Sequence, residues 1–475
     1  MKNILIKLKG FLDGFQGVYR WEWAVLAILI FVPFISCFYG DTKAIILYEN
    51  DFWGSIFNGN GLLSYYEYVM NRMDETGMGN YATYEFPMYI VLGLWGAPLW
   101  IIMGAKDIDP LSSIFSKLYG KSIYLVALVI TIYLIYLICK ELKLSKKNSL
   151  WGAFIYASSL IIYIAICLNG QTDILGMIFI LLGIWAYIKD SRKFFLLFFA
   201  IAIPFKQYAL FIFLPLMLLK EKRVFYIILN SIAALSISVL SNLFFDSASP
   251  AIQIKNSFEL DIFNRLTANR LPLLNGSVPT VVVFLVAICV YCYIKKLKDK
   301  EEQDKYTVFI PLLVMGCVFI SFESSSYWYI HLAPYLAIMS VYNSSRTKHI
   351  MLFETTAMAS LTLANYGSRP WAFDINNYRD MFLGKLLGNY DVLQTPILLG
   401  DFCQRIGIIK YCGALFGVYV VLLFTVIIIC RPSKIQTSEE VPFRAYTYMR
   451  MLINAFIAYI PGMLYLYNVY LANHL

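Results

Sequence analysis

The sequence predicts an all-α polytopic membrane protein with about 11–13 transmembrane helices plus re-entrant or interfacial helices. Of the 475 residues, 60% are hydrophobic and only 15% are charged, whereas a soluble domain carries about 25% charged residues. Many apolar runs reach the roughly 17–25 residues that a bilayer crossing needs. Basic residues cluster between those runs, as in cytoplasmic loops. This composition excludes a soluble enzyme, a disordered scaffold and a nucleic-acid-binding protein.

The apolar runs predict the spans in chain order. The first, Trp21 to Phe38, has no A-x-A cleavage site, so we interpret it as a retained span and not as a signal peptide. The other runs cover 121–139, 150–168, 174–188, 224–244, 277–294, 307–321, 327–343, 350–366, 407–430 and 450–471.

Two further apolar stretches are interrupted and are predicted not to span. Prolines break both 86–104 and 194–219, and Lys206 lies within the second stretch. If all basic clusters face the cytoplasm, each stretch enters and leaves the membrane on one side. Broken backbone at membrane depth is tolerated only where it is buried or lines a cavity, so both stretches are candidate walls of a site. The alternative is that one of them spans and a basic loop faces outward.

The net charge of +9 mainly records orientation, because clusters between the spans hold 25 of the 39 Lys and Arg residues. This arrangement predicts a cytoplasmic N-terminus and three long external segments at about 40–120, 245–276 and 367–406. The clusters lie at 1–20, 140–147, 189–193, 220–223, 295–305, 346–348 and 431–450.

Most of the nine cysteines lie inside apolar runs, and none forms a zinc-like cluster with histidine. We interpret them as apolar packing residues, and the sequence predicts neither a disulfide framework nor a metal site. The two halves of the chain show no internal repeat, which weakens a transporter interpretation because many secondary transporters are built from repeats.

Asp41 follows the first span, in the sequence FYGDTKA. A carboxylate at that depth is partly desolvated, which raises its pKa toward the range useful for a general base. The alternative is a helix N-cap or an ordinary interfacial acid.

The short loop LNGQTD places Asn169, Gln171 and Asp173 between two apolar runs. Polar groups at membrane depth are functional candidates, although a tight turn with an N-cap explains the same pattern. Lys206, followed by Gln207, lies in the middle of an apolar stretch, where a lysine costs roughly 2.5–3.5 kcal/mol. It is expected to face a polar cavity, an anionic ligand or a carboxylate partner.

Weaker candidates lie in the other predicted external segments. Tyr84 and Glu85 precede Pro87, and Tyr327 and His331 follow Glu323 in an aromatic loop that interface anchoring also explains. Arginines in these segments suit phosphate binding or are solvated loop charge; they are Arg265, Arg270, Arg369 and Arg379.

In order and spacing, these stretches resemble the GT-C class of polytopic glycosyltransferases, which use polyprenyl-phosphate-linked sugars. FYGDTKA is similar to the Gly-Asp motif that opens the family's first external loop. YEFPMYIVLGLWG resembles its acidic-plus-proline stretch, with Met88 where a second proline is common. LNGQTD is similar to the Gly-Gln-x-Asp loop of bacterial members, and FKQYALFIFLP resembles a signature of the dolichyl-phosphate-glucose-dependent glucosyltransferases.

The resemblance covers about residues 20–245. It implies a catalytic membrane module over 1–245, with its first external loop at 40–120, and a variable C-terminal module over 246–475. It also implies an inverting hexosyl transfer from a polyprenyl-phosphate-sugar donor to a glycan or lipid-linked acceptor, with Asp41 as the general base. In this interpretation Lys206 stabilises the departing phosphate, and the polar groups of Asn169, Gln171 and Asp173 hold sugar hydroxyls.

Two other functions remain open: a transporter or flippase for lipid-linked saccharides, and a polymerase or ligase of surface polysaccharide. Usage rich in Ile, Lys and Tyr is typical of AT-rich bacterial genomes. It favours a multi-pass protein of the bacterial cytoplasmic membrane, with undecaprenyl phosphate as the carrier and the active site facing outside. The sequence assigns no cofactor and leaves a divalent cation open.

Overall fold

The computed structural model describes residues 18–273, 276–322, 324–436 and 444–474. The chain is predominantly α-helical. Three parts of the sequence that bear on the predictions lie outside the described residues: positions 1–17 of the basic cluster at 1–20, Glu323, and positions 437–443 within the cluster at 431–450.

The helices of the first half are α1 (Arg20–Ser36), α2 (Gly40–Phe57), α3 (Tyr65–Thr76), α4 (Phe86–Ile102), α5 (Ile114–Glu141), α6 (Lys146–Ala157), α7 (Leu160–Ile162, continued as a π-helix over Tyr163–Leu168), α8 (Asp173–Ile188), α9 (Arg192–Phe205), α10 (Tyr208–Lys220) and α11 (Val224–Leu243). Those of the second half are α12 (Pro250–Leu266), α13 (Thr280–Ile294), α14 (Lys300–Ser321), α15 (Ala333–Tyr342), α16 (Thr347–Ser368), α17 (Phe382–Leu387), α18 (Leu399–Arg405), α19 (Cys412–Ile429), α20 (Arg444–Ala458) and α21 (Ile460–His474), with a 3₁₀ segment over Ser326–His331.

Several helices begin at side chains that cap their first turn. Ser113 Oγ accepts a hydrogen bond from the Ser116 amide at the start of α5, and Ser249 caps α12 just before its first proline. Asp299 caps α14 by accepting from the Glu302 amide. Each cap satisfies an amide that has no partner within its helix, so these helix starts follow from local sequence.

Within the described residues, four helices are long and apolar enough to cross a membrane, and the number rises to seven if three bent helix pairs each count as one span. The bent pairs are α1 with α2, α6 with α7, and α20 with α21. This count lies below the predicted 11–13 because several apolar runs fold as helices of 10–17 residues. The chain therefore has the helices of a polytopic membrane protein.

One element departs from the all-α prediction. Arg270–Leu273 and Gly276–Pro279 pair as an antiparallel hairpin, β1 and β2, so the run predicted at 277–294 begins in a strand and becomes helical only at Thr280. Proline and glycine in this segment disfavour a helix. The guanidinium of Arg270 also donates from Nε to Ser277 Oγ at 2.9 Å across the hairpin.

The interrupted stretch at 194–219 folds as two helices with a break at Lys206. The helices α9 and α10 contain 14 and 13 residues, so each is about 20 Å long, against about 30 Å for a bilayer core. Lys220, at the end of α10, contacts Asp190 just before α9 at 2.5 Å. The two helices therefore form a hairpin whose tip is Lys206, as expected for a re-entrant element.

Four predicted cytoplasmic clusters meet at one end of the bundle, which we call the basic end (Glu141, Lys189, Asp190, Lys220 and Lys300). Lys189 pairs with Glu141 at 3.0 Å, and Asp190 lies within 3.7 Å of the Lys300 ammonium as well as beside Lys220. The ends of α5, α8, α10 and the start of α14 are thereby placed together. The opposite end, which contains the start of α8 and the tip at Lys206, is called the site end.

Polar contacts deep in the bundle join its two halves. The guanidinium of Arg450 on α20 makes a bidentate pair with Glu354 on α16 at 2.7 and 2.8 Å. The same guanidinium donates to the Ile155 carbonyl and to Ser158 Oγ at 3.0 Å each. All these groups are buried, so the C-terminal helices are fixed to the end of α6 by a buried charge that makes four hydrogen bonds.

Candidate active site

Three breaks between helices meet at the site end. The first is the 76° bend between α1 and α2, the second is the loop from Asn169 to Thr172 before α8, and the third is the tip at Lys206. Interrupted helices leave backbone groups unpaired and bring polar side chains to membrane depth, so such breaks suit a site. They bring together Asp41, Gln171, Asp173 and Lys206.

Asp41 lies beyond the first span, in the first turn of α2, and is partly exposed. Its Oδ2 accepts a hydrogen bond of 3.2 Å from Gln171 Nε2. Burial raises the pKa of the Asp41 carboxyl above its ordinary value, while the Gln171 hydrogen bond and the positive charge of Lys206 oppose the rise. A carboxylate with a raised pKa is a stronger base than an exposed aspartate.

Asp173 begins α8 and is only 1% exposed. Its Oδ1 lies 2.7 Å from Lys206 Nζ, and its Oδ2 lies 3.5 Å from Nε2 of the buried His331. One carboxylate therefore joins the tip of the α9–α10 hairpin to the 3₁₀ segment of the second half. The carboxylate partner expected for Lys206 is Asp173.

Tyr84 faces the same cluster. Its hydroxyl oxygen accepts a hydrogen bond of 3.2 Å from Thr172 Oγ1, and the Lys206 ammonium lies 5.2 Å from its ring centroid. Cation–π contact and the Asp173 carboxylate together hold Lys206 at the break. Its side chain keeps 21% of its surface exposed, and an ammonium has three donor hydrogens, so it retains donors for a further anion.

Gln207, Tyr327 and His331 border this cluster. Gln207 is exposed at the tip of the hairpin. The Tyr327 ring lies 6.2 Å from the ring of Tyr39, which precedes α2. The His331 ring packs edge-on against Tyr208 with ring centroids 5.2 Å apart. The aromatic loop therefore contributes buried wall residues in addition to any interface role.

Two predicted ligand-binding residues point elsewhere. The Asn169 side chain donates from Nδ2 to the Ala372 carbonyl at 2.8 Å. Its backbone carbonyl accepts from Thr42 Oγ1 at 3.2 Å, so the residue fixes the loop. Glu85 precedes α4, and its Oε1 accepts a 2.7 Å hydrogen bond from Ser238 on α11. Adjacent residues thus diverge, with Tyr84 at the cluster and Glu85 directed to α11.

The partners of Arg265, Arg270 and Arg379 are close in sequence. Arg265 pairs with Asp261 at 2.7 Å within α12, Arg270 bonds across the β-hairpin, and Arg379 pairs with Asp391. Arg369 lies at the C-terminal end of α16. The first three are accounted for as surface or hairpin charge.

Sequence reasoning missed five residues around the cluster. Thr172 lies in LNGQTD and Tyr208 lies in FKQYALFIFLP, while Tyr39 and Thr42 lie within two residues of Asp41. Proximity in sequence to a candidate residue is the signal that could identify these four. The fifth, Lys121, opens an apolar run and is completely buried. The five residues are Tyr39, Thr42, Lys121, Thr172 and Tyr208.

A cavity of about 230 Å³ lies at the basic end, away from the Asp41 cluster, and is lined by Tyr187, Asp190, Phe195 and Lys220 among others. In the described parts of the chain, no group of three or more His, Cys, Asp or Glu side chains is arranged to hold a metal ion. The site end instead offers a base beside an amide and a lysine–carboxylate–imidazole chain.

Comparisons of the chain with known proteins find no match. No protein-family model, curated protein sequence or solved structure matches this chain. The likeness to GT-C glycosyltransferases accordingly rests on the four sequence stretches alone.

Proposed function

We propose that the protein is an integral membrane glycosyltransferase that moves a sugar from a polyprenyl-phosphate donor to an acceptor hydroxyl at the site end. The observation that carries the proposal is the position of Asp41. Its carboxylate is partly exposed, has a raised pKa and accepts from a neutral amide. It also lies close enough to Lys206 for that charge to influence it.

Asp41 is the general base in this proposal. The acceptor hydroxyl gives its proton to the Asp41 carboxylate as its oxygen forms a bond to the anomeric carbon of the donor sugar. The bond from that carbon to the phosphate oxygen breaks, and the lipid phosphate leaves with the electron pair. Attack opposite the leaving group inverts the anomeric centre. Because phosphate is a good leaving group, the reaction needs no general acid.

Lys206 is the proposed contact for the departing phosphate, which gains negative charge as it leaves. A fixed positive group stabilises such charge most effectively when it is held in place before reaction. Asp173 and the Tyr84 ring hold the Lys206 ammonium in one position, and His331 supports Asp173 from the other side. Gln171 and Gln207 supply amides for sugar hydroxyls.

The lipid part of the donor needs an apolar surface beside the site. The helix α11 offers one, because only Asn230 and Ala234 on it are buried and it carries exposed aliphatic and aromatic side chains. Ser238 on the same helix bonds to Glu85 next to Tyr84. A polyprenyl chain along α11 would therefore lie close to the polar cluster.

The direct test is sugar transfer by purified protein in detergent, with a polyprenyl-phosphate-sugar donor and a saccharide or lipid-linked acceptor. We expect Asp41→Asn to lower transfer by about 10²-fold or more, since a positioned base contributes typically 10²–10⁴-fold. Asp74→Asn is the control. It removes an exposed acid of α3 that lies in the same predicted external segment (40–120) as Asp41, and it should transfer sugar like wild type.

Two outcomes would contradict the proposal. Near-wild-type transfer by Asp41→Asn would remove Asp41 as the base. Absence of transfer by the wild-type protein in detergent, together with movement of lipid-linked saccharide across a sealed vesicle membrane, would favour a flippase, because a flippase needs a membrane barrier and a transferase does not.

A further inference from the structure

Lys121 is a completely buried lysine near the start of α5. Its ammonium donates three hydrogen bonds to backbone carbonyls, those of Phe34 at 2.8 Å, Cys37 at 2.6 Å and Cys167 at 2.9 Å. The Phe34 ring centroid lies 4.4 Å from the same nitrogen. An ammonium has three donor hydrogens, and all of them are used here.

The three carbonyls belong to the ends of two helices. Phe34 and Cys37 close α1, and Cys167 lies in the last turn of the π-helix that continues α7. The last carbonyls of a helix lack partners within the helix and carry partial negative charge. A single buried positive charge satisfies both ends, which explains why a lysine is tolerated where an isolated charge would cost several kcal/mol.

The two chain segments that leave Lys121 run side by side toward the proposed base. Beyond the carbonyl anchors, the Cys37 thiol donates to the Leu168 carbonyl at 3.3 Å and Thr42 Oγ1 donates to the Asn169 carbonyl at 3.2 Å. Farther along, Gln171 Nε2 bonds to Asp41. Three successive contacts thus transmit the position of the two helix ends to the Asp41 carboxylate.

We propose that Lys121 is a positioning residue, which fixes the end of α1 against the end of the π-helix and so holds the Asp41 carboxylate at the Gln171 amide. The anchoring of the two helix ends is independent of any activity. Its consequence for sugar transfer rests on the proposed function.

The anchoring is tested by the reactivity of Cys37, which is only 2% exposed. In full-length protein whose other eight cysteines are replaced by alanine or serine, we expect Lys121→Met to raise the rate of Cys37 modification by a small methanethiosulfonate reagent by about tenfold or more, since local opening exposes the thiol. Lys117→Met is the matched control. Lys117 lies on the same helix near the Phe38 ring, with its nitrogen 5.5 Å from the centroid, and its removal should leave Cys37 protected.

The positioning role is tested by steady-state kinetics in detergent. We expect Lys121→Met to lower kcat by about 10²-fold with the donor KM changed only a few-fold, because small displacements of a catalytic group act on the chemical step. Lys121→Arg keeps the charge and several donors, so it should restore Cys37 protection and much of kcat.

Each contrary outcome bears on one part of the proposal. If the folded Lys121→Met variant shows the same rate of Cys37 modification as wild type, the anchoring is overturned. Reactive Cys37 with unchanged kcat would overturn the positioning role. If Lys121→Met and Lys121→Arg both fail to fold while Lys117→Met folds, Lys121 is a general stability residue and the proposal is overturned. Absence of transfer by wild type would count against the proposed function, and the labelling result would still decide the anchoring.

Discussion

At the residue scale, the chemistry of the site depends on how neighbours set the charge of Asp41. Burial raises the pKa of this carboxyl, while the Gln171 hydrogen bond and the Lys206 charge lower it. The Gln171 amide therefore lowers the pKa of the proposed base as well as orienting its carboxylate. Because a general base works in its deprotonated form, the acid side of the pH–rate profile should report the pKa of Asp41 if Asp41 is the base.

Gln171→Leu tests this tuning. The substitution removes a hydrogen bond that lowers the pKa of Asp41, so the pKa should rise further and protonation should begin at higher pH. We expect the acid limb of the pH profile of kcat/KM to move to higher pH, with loss of rate most severe at low pH. An unchanged limb would mean that another group controls it. Gln253→Leu is the control, because the amide of this exposed residue donates to the Ala248 carbonyl, and this substitution should leave the limb in place.

At the element scale, glycines allow the helices that present Asp41 to pack closely. A Cβ on Gly96 of α4 would overlap the Glu49 side chain and lie 3.1 Å from Glu49 Cα on α2. A Cβ on Gly93 would overlap the Phe52 ring. The helix α2 is thereby held against α4 at a distance that no larger side chain permits, and Asp41 is carried by the first turn of this helix.

Gly96→Ala should accordingly separate α2 from α4. Overpacking of this kind costs about 1–3 kcal/mol, so we expect a lower thermal unfolding midpoint in detergent and weaker transfer. Gly417→Ala, in α19, is the control, because a methyl group there would meet open space and alanine is the better helix former by about 1 kcal/mol. Equal thermal unfolding midpoints for Gly96→Ala and Gly417→Ala would show that close packing of α2 against α4 does not determine stability.

At the scale of the whole molecule, the clustered basic residues and the candidate site lie at opposite ends of the bundle. The basic end gathers Lys189, Lys220 and Lys300 around two acids, and the site end contains Asp41 and Lys206. The helices between them, such as the 28-residue α5, are long enough to cross a bilayer. Since basic loops favour the cytoplasm, this separation predicts that the site opens on the outer face.

Cysteine labelling in intact cells tests that orientation. In a background without other reactive cysteines, Asn80→Cys, in the segment between α3 and α4, should react with a membrane-impermeant maleimide. Lys193→Cys, exposed at the start of α9, should react only after the membrane is permeabilised. The reverse pattern would place the basic end outside and contradict the orientation.

Much of the architecture could be predicted because it depends on local properties. Hydropathy located the apolar helices, and proline with Lys206 located the break between α9 and α10. The β1–β2 hairpin is not predicted, because β1 lies in a predicted external segment and β2 merges into the apolar run at 277–294. Fewer helices than the predicted 11–13 are long and apolar enough to span, because several apolar runs form helices of only 10–17 residues in the described parts of the chain.

The sequence by itself determined that this chain is helical and rich in apolar segments, and that a few polar residues interrupt them. Tertiary structure alone decided their partners. It brought Gln171 to Asp41 and both Lys206 and His331 to Asp173, while it turned Glu85 toward α11. The physical reason is that helix periodicity and breaks are properties of neighbouring residues, whereas a hydrogen bond between distant residues depends on how whole helices pack.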